Sequence, residues 1–195
     1  MGDVPYSFNF DLKFGHVEGL VLGHSWIRRL NETYGQSLKD DGIICVGKGG
    51  LTFSKAVEFF KNHQILSCNP KWIQILLGSN DADSCSDTVQ INDVFPQVIE
   101  FLNFLREKFP SSKLILCGVE DRVASSGGFK QKSNKLNKFL LKIKKVKPGL
   151  IDFYCPMKGN FRFTDPSLFC EDGIHPNADG LHRLHEIVRG AVWMI

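Results

Sequence analysis

Strand-like and helix-like segments alternate five times along this chain of 195 residues. The strand candidates are Glu18–Gly23, Gly42–Val46, Trp72–Leu77, Lys113–Cys117 and Leu150–Cys155. Each is a nearly continuous apolar run rather than an apolar–polar alternation. Such runs belong to strands buried on both faces, and helices between them make the strands parallel. Helical spacing predicts helices from Ser25 to about Tyr34, Phe53 to about Ile65, Asp87 to about Phe109, Gln131 to about Lys145, and from Asn177, a good N-cap, to about Val192. Pro96 falls where a first helical turn tolerates it. The expected architecture is a three-layer α/β/α sandwich on a five-stranded parallel sheet. Its length fits one domain over residues 1–195.

Composition removes several alternatives. At 43% hydrophobic and 23% charged residues, the chain is neither disordered nor fibrous. No apolar run reaches the roughly 20 residues of a membrane span. The opening residues lack a basic start followed by an apolar core, so a cytoplasmic location is expected. The six cysteines form no C-x-x-C pair, which disfavours a zinc ribbon or a thioredoxin-type site. Cys45, Cys117 and Cys155 lie in or beside strand-like runs and read as buried free thiols.

Charge is distributed unevenly. Arg122–Leu150 carries nine basic residues and no acidic one, which leaves the rest of the chain at net −6. Leu136, Phe139, Leu140 and Ile143 recur there at helical spacing, with Lys135, Lys138, Lys142, Lys144 and Lys145 around them. The simplest reading is a surface helix with its apolar stripe inward. The alternative is a patch for anionic lipid or RNA.

In a parallel sheet, chemistry gathers at the carboxyl ends of the strands. Those ends carry Gly23-His24-Ser25, Gly47-Lys48-Gly49-Gly50 and Gly78-Ser79-Asn80-Asp81, and Asp172-Gly173-Ile174-His175-Pro176-Asn177 precedes the last helix. A serine hydroxyl needs a base to become a nucleophile, and His175 is the natural one. Asp172, three residues earlier, can reach the other ring nitrogen, fix the tautomer and stabilise the imidazolium. Ser25 at a helix N-terminus brings free N–H groups beside a reacting carbon. The Gly50 N–H and the Asn80 amide complete a candidate oxyanion hole. Taken singly, Ser25 is a cap, Asn80 and Asp81 are turn residues, and His175 is a loop histidine.

The four blocks together resemble the SGNH (GDSL-type) hydrolase superfamily. Its G-D-S, glycine, G-x-N-D and D-x-x-H-P blocks correspond in order to GHS at 23–25, GKGGLT at 47–52, GSND at 78–81 and DGIHPN at 172–177. The span is about four fifths of the chain. The resemblance implies a flavodoxin-like sandwich and hydrolysis of carboxylic, thio- or O-acetyl esters without metal or cofactor. It also implies Ser25, His175 and Asp172 as a triad, with Ser25, Gly50 and Asn80 as oxyanion donors. A small-molecule or lipid ester is the implied substrate. The departure is His24, where the family has an acid. The opening GHSWIRRL, with Arg28 and Arg29, also resembles esterase domains of retrotransposon-encoded proteins.

Competing motifs fail. Gly42-x4-Gly47-Lys48 lacks the following Ser or Thr of a phosphate-binding loop, and apolar IICV fills its loop. Gly47-x-Gly49 has Thr52 where a dinucleotide fingerprint needs its third glycine. No G-x-S-x-G elbow occurs. His182 and His185 are spaced i, i+3 but lack a third ligand, so surface or half-buried histidines are expected. Trp26 and Trp72 read as core and Lys48 as solvated. Ser125–Phe129 reads as a linker or a rim of the site.

Overall fold

The computed structural model describes residues 17–63, 67–124, 127–157, 163 and 165–190. Five strands, β1 (Gly19–Gly23), β2 (Ile43–Gly47), β3 (Trp72–Leu76), β4 (Lys113–Cys117) and β5 (Phe153–Cys155), form one sheet in the order β2-β1-β3-β4-β5. Every pairing is parallel. Among the described residues there are six α-helices: α1 (Ser25–Asp40), α2 (Phe53–Lys61), α3 (Ser79–Ser84), α4 (Val94–Lys108), α5 (Phe129–Val146) and α6 (Ala178–Gly190). The expected α/β/α sandwich on a five-stranded parallel sheet is the architecture observed. No helix among the described residues is long and apolar enough to cross a membrane.

Side-chain alternation divides the core into two layers. Leu20, Leu22, Ile73, Ile75, Leu114 and Leu116 face one way, against Phe53 and Phe60 of α2, Phe101 and Leu105 of α4, and Leu136 and Leu140 of α5. Val21, Cys45, Ile115 and Cys117 face the other way, against Trp26, Ile27 and Leu30 of α1 and Leu184 and Val188 of α6. Each fully buried Leu, Ile or Phe contributes about 1.5–3 kcal/mol relative to exposure. Apolar runs survive in these strands because both faces are covered. Trp26 and Trp72 are core residues, at 0% and 2% exposure. Cys45, Cys117 and Cys155 are buried free thiols, and burial pushes Cys45 up to about 12.

Several boundaries differ from the sequence reading. α1 continues to Asp40, since Leu38 still faces the core. The predicted helix from Asp87 begins only at Val94, after a 3-10 turn at Gln90–Asp93. There Asp87 Oδ1 accepts the Val89 and Gln90 N–H groups, so a local side-chain turn displaces the helix. The fifth strand shortens to Phe153–Cys155, because Asp152 turns aside to accept the Leu114 N–H and pair with Arg106. α5 spans a little more than expected on each side. The expected ends at Ile65 and Val192 lie outside the described residues, as do Ser125 and Ser126 of the expected rim loop.

One glycine sets the approach of α1 to the sheet. A Cβ on Gly47 would meet Arg28 N at 2.5 Å and His24 O at 2.7 Å. Only glycine lets the first turn of α1 rest on the end of β2. That close approach fixes the start of α1, and with it Ser25, above the carboxyl edge of the sheet.

Candidate active site

The sheet order makes β1 and β3 the pair where the connections diverge, and crevices form there. Ser25 follows β1 directly as the first residue of α1, 8% exposed. The Asp172–His175 turn precedes α6, whose start Asn177 caps by accepting the Gly180 N–H at 3.1 Å. These two segments, 150 residues apart, meet. His175 Nε2 lies 3.1 Å from Ser25 Oγ, and His175 Nδ1 lies 2.7 Å from Asp172 Oδ2.

The acid is held by its own turn. Asp172 Oδ1 accepts the Ile174 N–H at 2.8 Å and the His175 N–H at 2.9 Å. The His175 backbone N–H, then its ring, then the Ile174 N–H hold the Asp172 carboxyl well below the ordinary range. Trp26 Nε1 donates to Ile174 O at 3.0 Å, which ties this turn to α1. Gly173 is required at the turn's tip. Its φ is +61°, and a Cβ there would meet Ala124 at 2.7 Å.

The remaining candidates surround Ser25 in different states. The Ser25 and Gly50 amides have no acceptor among the described residues, and Gly50 is exposed. Asn80 Nδ2 donates to Leu51 O at 3.0 Å, which uses one of the two amide hydrogens and anchors the glycine loop to α3. Asp81 does something the sequence did not reveal. Its carboxylate accepts the Phe53 N–H at 3.0 Å and caps α2 from another segment, since Thr52 makes no side-chain cap. Burial pushes Asp81 up to about 6, against the pull of that hydrogen bond. The GSND block, read as a turn, is a short helix.

His24, the departure, is fully buried. It contacts Glu120, 1% exposed, which lies beyond β4. Glu120 and its neighbour Arg122 went unrecognised in the sequence. The available signal was an acid three residues past the fourth strand, in a chain with histidine in the usual acid's place.

His185 packs against Tyr34, ring centroids 4.5 Å apart. Burial lowers its affinity for a proton, with Arg189 and His182 adding to the effect. Among the described residues, no group of three or more His, Cys, Asp or Glu is placed to hold a metal. Lys48 lies over the Phe59 ring, 5.5 Å from its centroid.

The sequence matches no protein-family model and no curated protein. Solved structures do match. The chain is similar to a GDSL-like lipase from Bacteroides thetaiotaomicron, at TM-score 0.71 and 20% identity, over 91% of this chain and 88% of that one. It is also similar to a carbohydrate esterase family 3 protein from Talaromyces cellulolyticus, at TM-score 0.62 and 15% identity, over 91% and 97%. A third is the lipase/acylhydrolase from Enterococcus faecalis, at TM-score 0.60 and 16% identity, over 88% and 94%. At these identities the likeness establishes the fold: this chain has the α/β architecture of the GDSL-like lipases and acylhydrolases.

Proposed function

We propose that the protein is a serine ester hydrolase acting on short acyl or acetyl esters. One observation carries the reading: Ser25 Oγ, His175 and Asp172 stand in hydrogen-bonding sequence, 3.1 and 2.7 Å apart, at a helix N-terminus. Ser25 Oγ attacks the acyl carbonyl while His175 Nε2 takes its proton. Asp172 Oδ2 accepts from Nδ1 and stabilises the imidazolium. The Ser25 and Gly50 N–H groups, with the second hydrogen of the Asn80 amide, receive the oxyanion. Each such donor is typically worth about 100–1,000-fold in rate. The intermediate collapses, His175 returns the proton to the leaving alcohol, and an acyl-Ser25 ester remains. Water, deprotonated by His175, then releases the acid. The neighbours named as lipases and esterases share this fold, which favours the same chemistry. No step calls on a metal or cofactor.

Hydrolysis of p-nitrophenyl acetate and its longer homologues tests the reading. The wild type turns over, and Ser25→Ala and His175→Ala each lose about 10⁴–10⁶-fold in kcat. Chain-length preference sizes the pocket. Equal inertness of all three folded proteins rejects the reading.

A second reading concerns α5. Lys132 and Lys135 are spent on the carbonyls of Cys85 and Thr88, each at 2.6 Å. Lys138, Lys142 and Lys145 are exposed, make no ion pair among the described residues, and surround Leu141, itself 59% exposed. We infer a face for anionic lipid. RNA is the competing ligand, in keeping with the GHSWIRRL resemblance to retroelement esterase domains. Binding to phosphatidylserine vesicles that fades between low and physiological salt supports a lipid face; salt-dependent binding to RNA alone replaces it.

A further inference from the structure

The two ring nitrogens of His24 have different partners. Nδ1 accepts the Trp26 N–H at 3.4 Å and caps α1. An accepting Nδ1 bears no proton, so the neutral ring carries its proton on Nε2. Nε2 lies 3.1 Å from Ser79 Oγ and 3.2 Å from Glu120 Oε1. Arg122 lies beyond, with Nε 4.0 Å from Glu120 Oε1 and a terminal nitrogen 3.5 Å from Asp83 Oδ2. One imidazole therefore joins segments that follow β1, β3 and β4.

The same loop continues to the other half of the candidate triad. The Val123 and Ala124 N–H groups donate to Gly173 O, at 3.0 and 2.9 Å. An unbroken run of contacts thus leads from the residue before Ser25 to the turn that holds Asp172 and His175. Both Glu120 carboxylate oxygens are buried outside hydrogen-bond geometry, so the close approach of His24 and Arg122 has to offset the cost of burying the charge.

We infer that Glu120, acting through His24, is a positioning residue that sets Ser25 against His175. An acid on the segment after β4 thus stands behind the residue that precedes Ser25, and the His24 ring spans the gap. This inference rests on the hydrolase reading and extends it to residues that touch no substrate.

Two replacements of His24 separate its roles. The amide of Gln reaches where Nε2 stands, so His24→Gln keeps the Glu120 contact and loses the cap. The oxygen of Asn stands near Nδ1, so His24→Asn keeps the cap and loses Glu120. The full chain is compared as wild type, His24→Gln, His24→Asn and Glu120→Gln. The readouts are kcat and KM for p-nitrophenyl acetate, the rate of Ser25 labelling by a fluorophosphonate, and the folded fraction by circular dichroism. His24→Asn and Glu120→Gln are expected to lose about 10²-fold in kcat per folded molecule, the cost of a misplacement near 1 Å, at unchanged KM. His24→Gln is expected to stay close to wild type. If His24→Gln loses rate while His24→Asn and Glu120→Gln stay active, the cap carries the effect and the inference is overturned. It is also overturned if losses appear only in melting temperature. If Glu120→Gln does not fold, the order of the two His24 variants still decides. A wild type unlabelled at Ser25 rejects the hydrolase reading and this inference with it; a labelled wild type whose rate neither His24→Asn nor Glu120→Gln lowers rejects the inference alone.

Discussion

Two histidine–carboxylate pairs flank Ser25, and they are opposites in environment. His175–Asp172 is an i, i+3 pair at 2.7 Å, with side chains 26% and 44% exposed. His24–Glu120 joins residues 96 positions apart at 3.2 Å, with side chains 0% and 1% exposed. In the first, backbone N–H groups of a single turn hold the carboxylate. In the second, the turn supplies nothing. Burial by itself would raise Glu120, and the contact with His24 together with the nearby Arg122 guanidinium outweighs it, holding Glu120 to about 2. The same two functional groups therefore serve different ends. An exposed, locally built pair can exchange protons with a substrate. A buried pair with distant partners fixes where backbone segments lie.

That contrast predicts a crossover between activity and stability. Asp172→Asn should cost the most activity, about 10⁴-fold in kcat, because an amide opposite Nδ1 favours the wrong imidazole tautomer. Its melting temperature should hardly move, since the lost interactions are exposed and solvent-screened. Calorimetry beside steady-state kinetics checks both. Equal losses in the two readouts would erase the distinction between the pairs.

Glu120→Gln should reverse the balance. Breaking a buried pair costs about 3–5 kcal/mol. For a domain of this size that lowers the melting temperature by roughly 10 °C. Its pH dependence follows from the depressed carboxyl. The stabilisation is fully present above the ordinary value of 4.5 and is lost as pH falls toward about 2. Urea titrations across that window should show a steep loss in wild type and a shallower one in Glu120→Gln. Parallel curves would mean the pair does not link folding to protons.

The smallest effect belongs to the exposed lysines. Replacing Lys138, Lys142 and Lys145 by Gln should change stability by no more than about 0.5 kcal/mol each and leave kcat intact. A large loss in either would place these side chains in the supporting structure of the site, contrary to their exposure.

Legibility in the sequence followed the range of the interactions. Val21, Leu22, Ile73 and Ile75 announced buried parallel strands, because continuous apolar runs need cover on both faces. Asp172 and His175 were legible because three residues suffice to build their contact. By itself the sequence around Asp81 fits a turn, yet the residue caps α2 from 28 positions away. The motif makes Asn80 an oxyanion-donor candidate, yet part of its amide anchors Leu51. The helix predicted from Asp87 was displaced by that residue's own competing hydrogen bonds.

The sequence by itself determined the alternation, the two-faced burial of the sheet and the residue types gathered at its carboxyl edge. These follow from periodicity and from side-chain chemistry, which operate over a few residues. Only the tertiary structure decided that Ser25 meets a histidine 150 positions later. It alone decided that His24 meets Glu120, and that Val123, Ala124 and Gly173 connect the two halves of the candidate site. Those contacts depend on strand order and on the angle at which α1 lands on Gly47. Both are settled by packing the whole sheet at once, because no single segment buries its apolar face alone.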